Sequence, residues 1–183
     1  MKGKPKQEFE IRLPKLFGKK IIGKTFADKP KKIGGRKFTV YAKDIWDKTQ
    51  KYYYKFDFKV DGIKDKELIT SFRGHQISRA FISKNVRKFS TRIDLYIREK
   101  TKDGIDLILK PLIITTMNVK TSIVKSIRKE AKKFLELYIR ENTLNKIVQD
   151  IISDDLQRDL KKSLNAIYPI SIVEIRKTEV RSK

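Results

Sequence analysis

Residues 52–60, with the sequence YYYKFDFKV, decide the fold of this chain. Counting from the first tyrosine, every second residue is apolar: Tyr52, Tyr54, Phe56, Phe58 and Val60. A period of two places these side chains on one face of an extended backbone, so the stretch predicts a β-strand with one buried face. Asp61-Gly62 follows and is typical of a hairpin turn, after which residues 67–72 can return as the partner strand.

Strands with the same alternation are predicted on both sides of this hairpin. They comprise residues 7–13, 36–42, 92–99, 105–109 and 170–180. A second hairpin turn is predicted at Asp103-Gly104. Pro169 is expected to end the last helix, just before the last strand begins. Residues 15–35 contain four glycines and Pro30, follow no sustained period, and are predicted to form a loop.

Helices are predicted in the other segments. Apolar residues recur at intervals of three and four in segments that begin at Ser122, a potential helix cap, at Leu144 and at Leu156, and a short helix is predicted over residues 76–86. The order of elements is neither alternating nor repetitive. It indicates an α+β fold with a largely antiparallel β-sheet or barrel and flanking α-helices.

The chain is expected to have two parts. Residues 1–35 are predicted to be a basic N-terminal arm with one short strand, and residues 36–183 a single globular α+β domain. The arm carries scattered apolar residues, so we expect it to pack along a surface. It would become ordered only on that surface.

The composition excludes several classes of protein. Of the 183 residues, 39% are hydrophobic, which is enough for a packed core and too many for a disordered basic tail. The lack of cysteine excludes disulfides, thiolate zinc sites and thiol nucleophiles. No stretch has the length and apolar character of a membrane span, and the basic N-terminal residues are not followed by the apolar part of a signal peptide. We expect a soluble, intracellular chain.

The net charge of +23 is unevenly distributed along the sequence. The first basic block, residues 1–37, has 13 basic and three acidic residues; the second, residues 73–102, has nine and two; the third, residues 110–133, has seven and one. Residues 38–72 and 134–167 are close to neutral. We expect the three blocks to converge on one surface that faces a polyanion, nucleic acid in preference to an anionic membrane or to a surface that is merely solvated.

Candidate catalytic groups are sparse. The single histidine, His75, has no acidic residue nearby in the sequence to orient it as a general base, so a hydrogen-bonding or phosphate-contacting role is favoured. Asp44 and Asp47 are close in sequence, but their spacing is not specific for a metal. Gly34-Gly35 precedes a strand and therefore does not match a phosphate-binding loop, which opens a helix. No cofactor, metal or small-molecule substrate is expected, and binding remains as the function.

Three aromatic residues close to the basic segments are candidates for stacking on unpaired bases. They are Phe17, Trp46 and Tyr53. Each is also of a type that commonly belongs to a core or its rim. Tyr53 differs from the other two because it lies on the polar face of the strand predicted at residues 52–60.

Several short motifs cover nearly the whole chain in a recognisable order. They are LFGKKIIGKTFAD at 16–28, GR at 35–36, FRGHQ at 72–76, TRID at 91–94, TKDG at 101–104, IYP at 167–169 and VEIRK at 173–177. With these motifs the chain resembles the S-three-Ae (e-S-one) family of small-subunit ribosomal proteins. It stops shortly after VEIRK, as the archaeal form does. It departs from the usual pattern at Gln76, at residues 79–81 and around residues 46–54.

The resemblance implies a structural, non-enzymatic protein on the platform of the small ribosomal subunit, near the messenger exit. Its partners would be small-subunit ribosomal RNA and neighbouring small-subunit ribosomal proteins, without a membrane. The near-neutral residues 134–167 would face solvent or another protein. The side chains then expected to contact RNA are Lys15, Lys19, Lys20, Lys24, Lys31, Lys32, Arg36, Arg73, His75, Arg79, Arg87, Lys88, Arg92, Lys100, Lys102, Lys110, Lys120, Lys125 and Arg128.

Two other functions stay open from the residues alone. An RNA-processing enzyme or nuclease would use Asp44, Asp47 and His75 with a metal ion. A non-ribosomal RNA chaperone or regulator would bind unstructured RNA with no preference for a ribosomal site.

Overall fold

A computed structural model describes residues 7–28, 33–46 and 51–181. Its internal contacts divide the chain into two compact units, Met1–His75 and Gln76–Lys183, here called the first and second units. Both units combine strands with helical segments, so the predicted α+β class is confirmed. The arm and domain boundary expected at residue 35 stays a prediction.

The first unit is built on paired strands. Its described strands are β1 (Gln7–Arg12), β2 (Ile21–Ala27), β3 (Lys37–Tyr41), β4 (Tyr54–Lys64) and β5 (Glu67–Ile77). They lie in the order β2-β1-β5-β4-β3, with β1 parallel to β5 and antiparallel to β2. A 3-10 turn (Lys15–Phe17) and the short helix α1 (Ala42–Ile45) complete the described part of this unit.

An aromatic cluster forms the core of the first unit. Tyr54, Phe56, Phe58 and Val60 of β4 are all buried, as their alternation predicts. The ring of Phe17 lies 5.1 Å from the rings of both Phe56 and Phe58. Because Phe17 is the last residue of the 3-10 turn of Lys15–Phe17, this contact anchors the turn to the core strand.

The β4–β5 hairpin is longer than predicted. Its turn lies at Asp65 and Lys66, both with positive φ, whereas Asp61-Gly62 lies inside β4. The strand begins at Tyr54, and Tyr52 is 62% exposed, so the prediction of Tyr52 on the buried face is wrong. The reason is that the two ends of the hairpin are set by strand pairing, which the apolar alternation does not report.

The loop prediction for residues 15–35 is wrong over β2. This strand pairs with β1 from Gln7↔Ala27 to Arg12↔Ile21 and lies at the end of the described strand order. An edge strand is held by backbone hydrogen bonds on one side and does not need an apolar alternation. Accordingly, Phe26 of β2 is 57% exposed.

The second unit combines strands with four helices among its described residues. The elements are α2 (Arg79–Asn85), β6 (Arg92–Asp94), β7 (Ile97–Lys100), β8 (Asp106–Thr115), α3 (Thr121–Glu141), α4 (Leu144–Ser153), α5 (Asp155–Asn165) and β9 (Ile170–Arg181). Strand β8 pairs antiparallel with β9, and also antiparallel with β6 and β7. The predicted hairpin at Asp103-Gly104 is confirmed as the β7–β8 connection.

The strand predicted at residues 92–99 is broken into β6 and β7. The break lies opposite Pro111 of β8, whose carbonyl accepts a hydrogen bond from the amide of Leu95. Proline has no amide hydrogen to donate, and the β8–β9 register shifts at the same position, between Lys110 and Pro111. The proline therefore interrupts both ladders, which a period-two pattern cannot indicate.

The helices of the second unit bury one side each. On α3 the buried residues Ile127, Ala131, Leu135 and Ile139 recur every fourth position. The predicted helices at residues 144–151 and 156–167 are confirmed as α4 and α5, with Leu156, Leu160 and Leu164 fully buried. Ser122 is the predicted cap of α3, but the N-cap of this helix is Lys120.

The core of the first unit generates a stability prediction. Phe58→Ala removes a fully buried ring and should lower the free energy of unfolding by about 3–5 kcal/mol, measured by urea titration. Tyr52→Ala, at an exposed aromatic position two residues before β4, should change it by less than about 0.5 kcal/mol. Equal losses for the two variants would contradict the burial pattern.

Candidate nucleic-acid interface

The solvent side of α3 carries a line of basic residues, here called the basic stripe. It consists of Lys125, Arg128, Lys129, Lys132 and Lys133, all exposed. Their spacing of i, i+3, i+4, i+7 and i+8 keeps them on one side of a helix. Ile127 and Ala131, both buried, lie on the opposite side. The amphipathic pattern that packs α3 therefore also gathers its positive charge on one exposed surface.

Four of the five stripe residues have no acidic partner in the part of the chain that the structure describes. The exception is Lys132, whose Nζ lies 3.6 Å from the Oε1 of Glu136. Lys120, the N-cap of the same helix, is exposed as well. The exposed amides of a helix N-terminus carry partial positive charge, which adds to the attraction of these cations for an anion.

The second basic block contributes a cation at the start of α2 and others in the turn that follows this helix. Arg79, Arg87 and Lys88 are exposed and have no ion pair within the described residues. Arg92 differs, because its guanidinium donates to both carboxylate oxygens of Asp94 at 2.7 and 3.1 Å. Its charge is thus partly neutralised within the protein.

The predicted residues of the first basic block have mixed surroundings. Lys15 and Lys19 are exposed beside the 3-10 turn, and the Nζ of Lys20 donates to the carbonyl of Ile45 at 3.2 Å. Lys24 pairs with Glu8 at 2.7 Å, which raises the pKa of Lys24 mainly through their hydrogen bond. The guanidinium of Arg36 donates to the Thr25 hydroxyl at 3.3 Å. Lys31 and Lys32 lie outside the described residues.

His75 is buried, with 1% of its surface exposed, and its ring stacks on that of Tyr54 at 5.2 Å. The expectation that it contacts phosphate is corrected by this burial, because its imidazole does not reach the surface of the described chain. The cause is its place on β5 in register with the aromatic core, which a single histidine in a sequence does not reveal.

The remaining predicted cations are divided between open and occupied positions. Lys100 and Lys102 are exposed near the β7–β8 turn. Arg73 is half-buried, with a guanidinium nitrogen 3.9 Å from Asp61. The Nζ of Lys110 donates to Glu179 at 2.7 Å and lies 5.8 Å from the centre of the Tyr96 ring.

The aromatic candidates for base stacking belong to the core or its rim. Phe17 is buried, and the ring of Trp46 packs against it at 5.9 Å. Tyr53 is half-buried between Tyr52 and Tyr54, with ring distances of 5.5 and 5.1 Å. Two aromatic residues of the second basic block are open to solvent, Phe89 and Tyr96, and the sequence alone singled out neither of them.

Helices α4 and α5 differ from the stripe because three of their four cations are paired with acids. Lys146 pairs with Asp150, Arg158 with Asp155 and Lys162 with Asp159. These pairs lie three or four residues apart on one helix, the spacing at which side chains meet. Residues 134–167 are close to neutral in sum, and most of their basic side chains are also neutralised by an acid nearby in space.

Across residues 7–28, 33–46 and 51–181, no three carboxylate or imidazole groups gather as they would around a metal ion. Asp44 is exposed on α1, and Asp47 lies outside the described residues. Among the described helices, none has both the length and the apolar character needed to cross a membrane.

Comparison with known proteins identifies the family. A model of the ribosomal S3Ae family matches residues 2–183 of the chain. The chain belongs to the ribosomal S3Ae family. This is the family that the sequence motifs resemble, and the membership predicted from them is confirmed.

Several curated relatives of this chain come from archaea and carry the name small ribosomal subunit protein eS1. The relative from Sulfurisphaera tokodaii is 34% identical over 98% of this chain and 93% of its own length. The one from Sulfolobus acidocaldarius is 34% identical over 98% and 91%. A third, from Methanothrix thermoacetophila, is 30% identical over 98% and 85%.

The pair of Lys110 and Glu179 generates a prediction on pH dependence. Hydrogen bonds from Lys110 and Lys177 lower the pKa of Glu179 from 4.5 to about 2. Because the folded state holds this carboxyl ionised, its stabilisation is present above about pH 4.5 and is lost as the pH falls towards 2. Urea unfolding across this range should show Glu179→Gln with a flatter fall in stability than the wild type.

Glu141→Gln is the matched control, since Glu141 is exposed and has no ion pair in the described structure. This variant should keep the slope of the wild type. A Glu179→Gln variant that kept the slope of the wild type would contradict the lowered pKa of Glu179.

Proposed function

We propose that this protein is a structural component of the small ribosomal subunit that binds ribosomal RNA. In this role it sits on the platform near the messenger exit and supports subunit assembly and translation in the cytoplasm. Membership of the ribosomal S3Ae family and the name carried by its archaeal relatives support the ribosomal part of the proposal.

The observation that carries RNA binding is the basic stripe. Its cations lie opposite the buried side of α3, and four of them lack an acidic partner among the described residues. Placing such cations against phosphates releases the counterions of the nucleic acid, which is a favourable entropy term. Nothing in the packing of α3 requires five cations on this surface, so an external polyanion accounts for them.

On this proposal, the near-neutral residues 134–167 face neighbouring ribosomal proteins or solvent. Three of the four cations on helices α4 and α5 are already paired with acids of the same helix, and the fourth, Lys161, donates to the carbonyl of Ser171. Such a surface gains little from phosphate contacts and suits a protein neighbour. Residues 1–35 are proposed to act as an arm along RNA, through Lys15 and Lys19 in particular.

The enzymatic alternative has weak support. A nuclease built on Asp44, Asp47 and His75 would need the histidine at the surface, and its imidazole is 1% exposed and stacked on Tyr54. We therefore assign no catalytic role to the chain. A non-ribosomal RNA chaperone would use the same cations, and it is distinguished by its lack of preference for ribosomal RNA.

The stripe generates a prediction on salt dependence. In the triple variant Lys125→Ala, Arg128→Ala and Lys129→Ala, the affinity for a small-subunit ribosomal RNA fragment should fall. The slope of log affinity against log salt should flatten by about 0.7–0.9 for each phosphate that the variant no longer neutralises. Alanine favours helix, so α3 should stay folded. Filter binding at several salt concentrations gives the slope.

The matched control is the triple variant Arg158→Ala, Lys161→Ala and Lys162→Ala on α5. Arg158 and Lys162 pair with acids of α5, and Lys161 donates to the carbonyl of Ser171. This variant should keep both the affinity and the slope. Equal losses in the two variants would mean that only the total charge matters. Equal affinity of the wild type for an unrelated RNA would favour the chaperone.

A further inference from the structure

A groove in the second unit lies beside the exposed ring of Phe89. It has a volume of about 380 Å³, within the range of about 300–1,000 Å³ found for small-ligand sites. Its apolar part includes Ile114 and Ile172, which are register partners across β8 and β9. Phe89 and Arg87 line it from the turn that follows α2.

Phe89 is 69% exposed, the largest fraction among the large hydrophobic side chains of the described residues. The Nζ of Lys88 lies 5.6 Å from the centre of its ring. An isolated apolar side chain at a surface is ordinary, but here the aromatic ring lines a groove together with Arg87 and has a second cation, Lys88, close by. One flat apolar surface and adjacent positive charge match the two parts of a nucleotide.

The turn that carries Phe89 is held in a fixed shape. The amide of Arg87 donates to the Ser90 hydroxyl at 3.1 Å, and that hydroxyl donates back to the Arg87 carbonyl at 2.9 Å. The amide of Thr91 donates to the Thr115 hydroxyl at 2.9 Å, which ties the turn to β8. The ring is thus presented without the entropy cost of ordering a loop when a ligand binds.

The charges around the groove favour RNA over a protein as the occupant. From position 68 to position 93 the chain has no acidic residue. Arg87 has no ion pair among the described residues, so its guanidinium is available for a phosphate. Asn85, Thr116 and Ser171 add polar groups at the groove that suit the edge of a base.

We infer that this groove binds one unpaired nucleotide of RNA, with the base stacked on Phe89 and a phosphate on Arg87. The inference rests on the proposed RNA-binding function and adds a site for a single-stranded segment. A base inside a duplex is already stacked on its neighbours, so only a looped-out or terminal nucleotide fits.

The test uses the full chain and a short single-stranded RNA that carries the fluorescent base 2-aminopurine, which is quenched when it stacks. The wild type should bind the probe and quench it. Stacking contributes about 1–3 kcal/mol per base and tenfold corresponds to about 1.4 kcal/mol, so Phe89→Leu should bind about five-fold to a hundred-fold more weakly, without quenching. Phe89→Trp should restore both affinity and quenching.

The control variant is Tyr96→Leu, which removes another exposed aromatic ring of the second unit, 57% exposed and close to Lys110. It should behave as the wild type, and circular dichroism should show each variant folded. If the wild type binds the probe and Phe89→Leu binds and quenches it equally well, the inference fails, the proposed function stands, and the groove is left to a protein partner. If the wild type binds no RNA at all, both fail.

Discussion

The chain has 45 basic and 22 acidic residues, so 23 basic side chains remain even if every acid neutralises one of them. Charges that cannot be paired internally must be placed where their mutual repulsion is small or where an outside anion meets them. In the second unit, paired and unpaired cations lie mainly on different helices. Acids are used up on α4 and α5 in short-range pairs, while α3 keeps four unpaired cations on one side within the described structure.

This separation depends on how the helices pack. A helix with one buried side leaves the other free for any polar sequence, so α3 can carry the stripe without weakening its contacts through Ile127 and Leu135. The first unit is organised around buried aromatic rings. Its strands pack around Tyr54, Phe56 and Phe58, and His75 is drawn into that aromatic core and away from any partner outside the protein.

The elements that were predictable from the sequence are those whose stability comes from burying one side. The buried side of β4, the helices α4 and α5, and β9 follow from apolar periodicity. Strand β2 does not follow from apolar periodicity, because it is an edge strand that depends on backbone pairing with β1. The break between β6 and β7 was not predictable either, since it arises from Pro111 on a different strand.

The burial of single side chains was also not predictable from the sequence. Phe17 and Phe89 both lie beside basic residues, and only long-range contacts with Phe56 and Phe58 decide that Phe17 is the buried one. The same limit applies to the cations, because a count of charges along the chain does not say which of them meet an acid in space.

The central claim is that unpaired cations, and not basic residues in general, face ribosomal RNA. A map of the assembled small subunit that contains this chain tests it most directly, by the distances from each basic side chain to the nearest phosphate. The account predicts phosphates within hydrogen-bonding distance of Lys125, Arg128 and Lys129, and none near Arg158 or Lys162. A map with the stripe of α3 facing solvent or protein, and α5 lying against RNA, would contradict it.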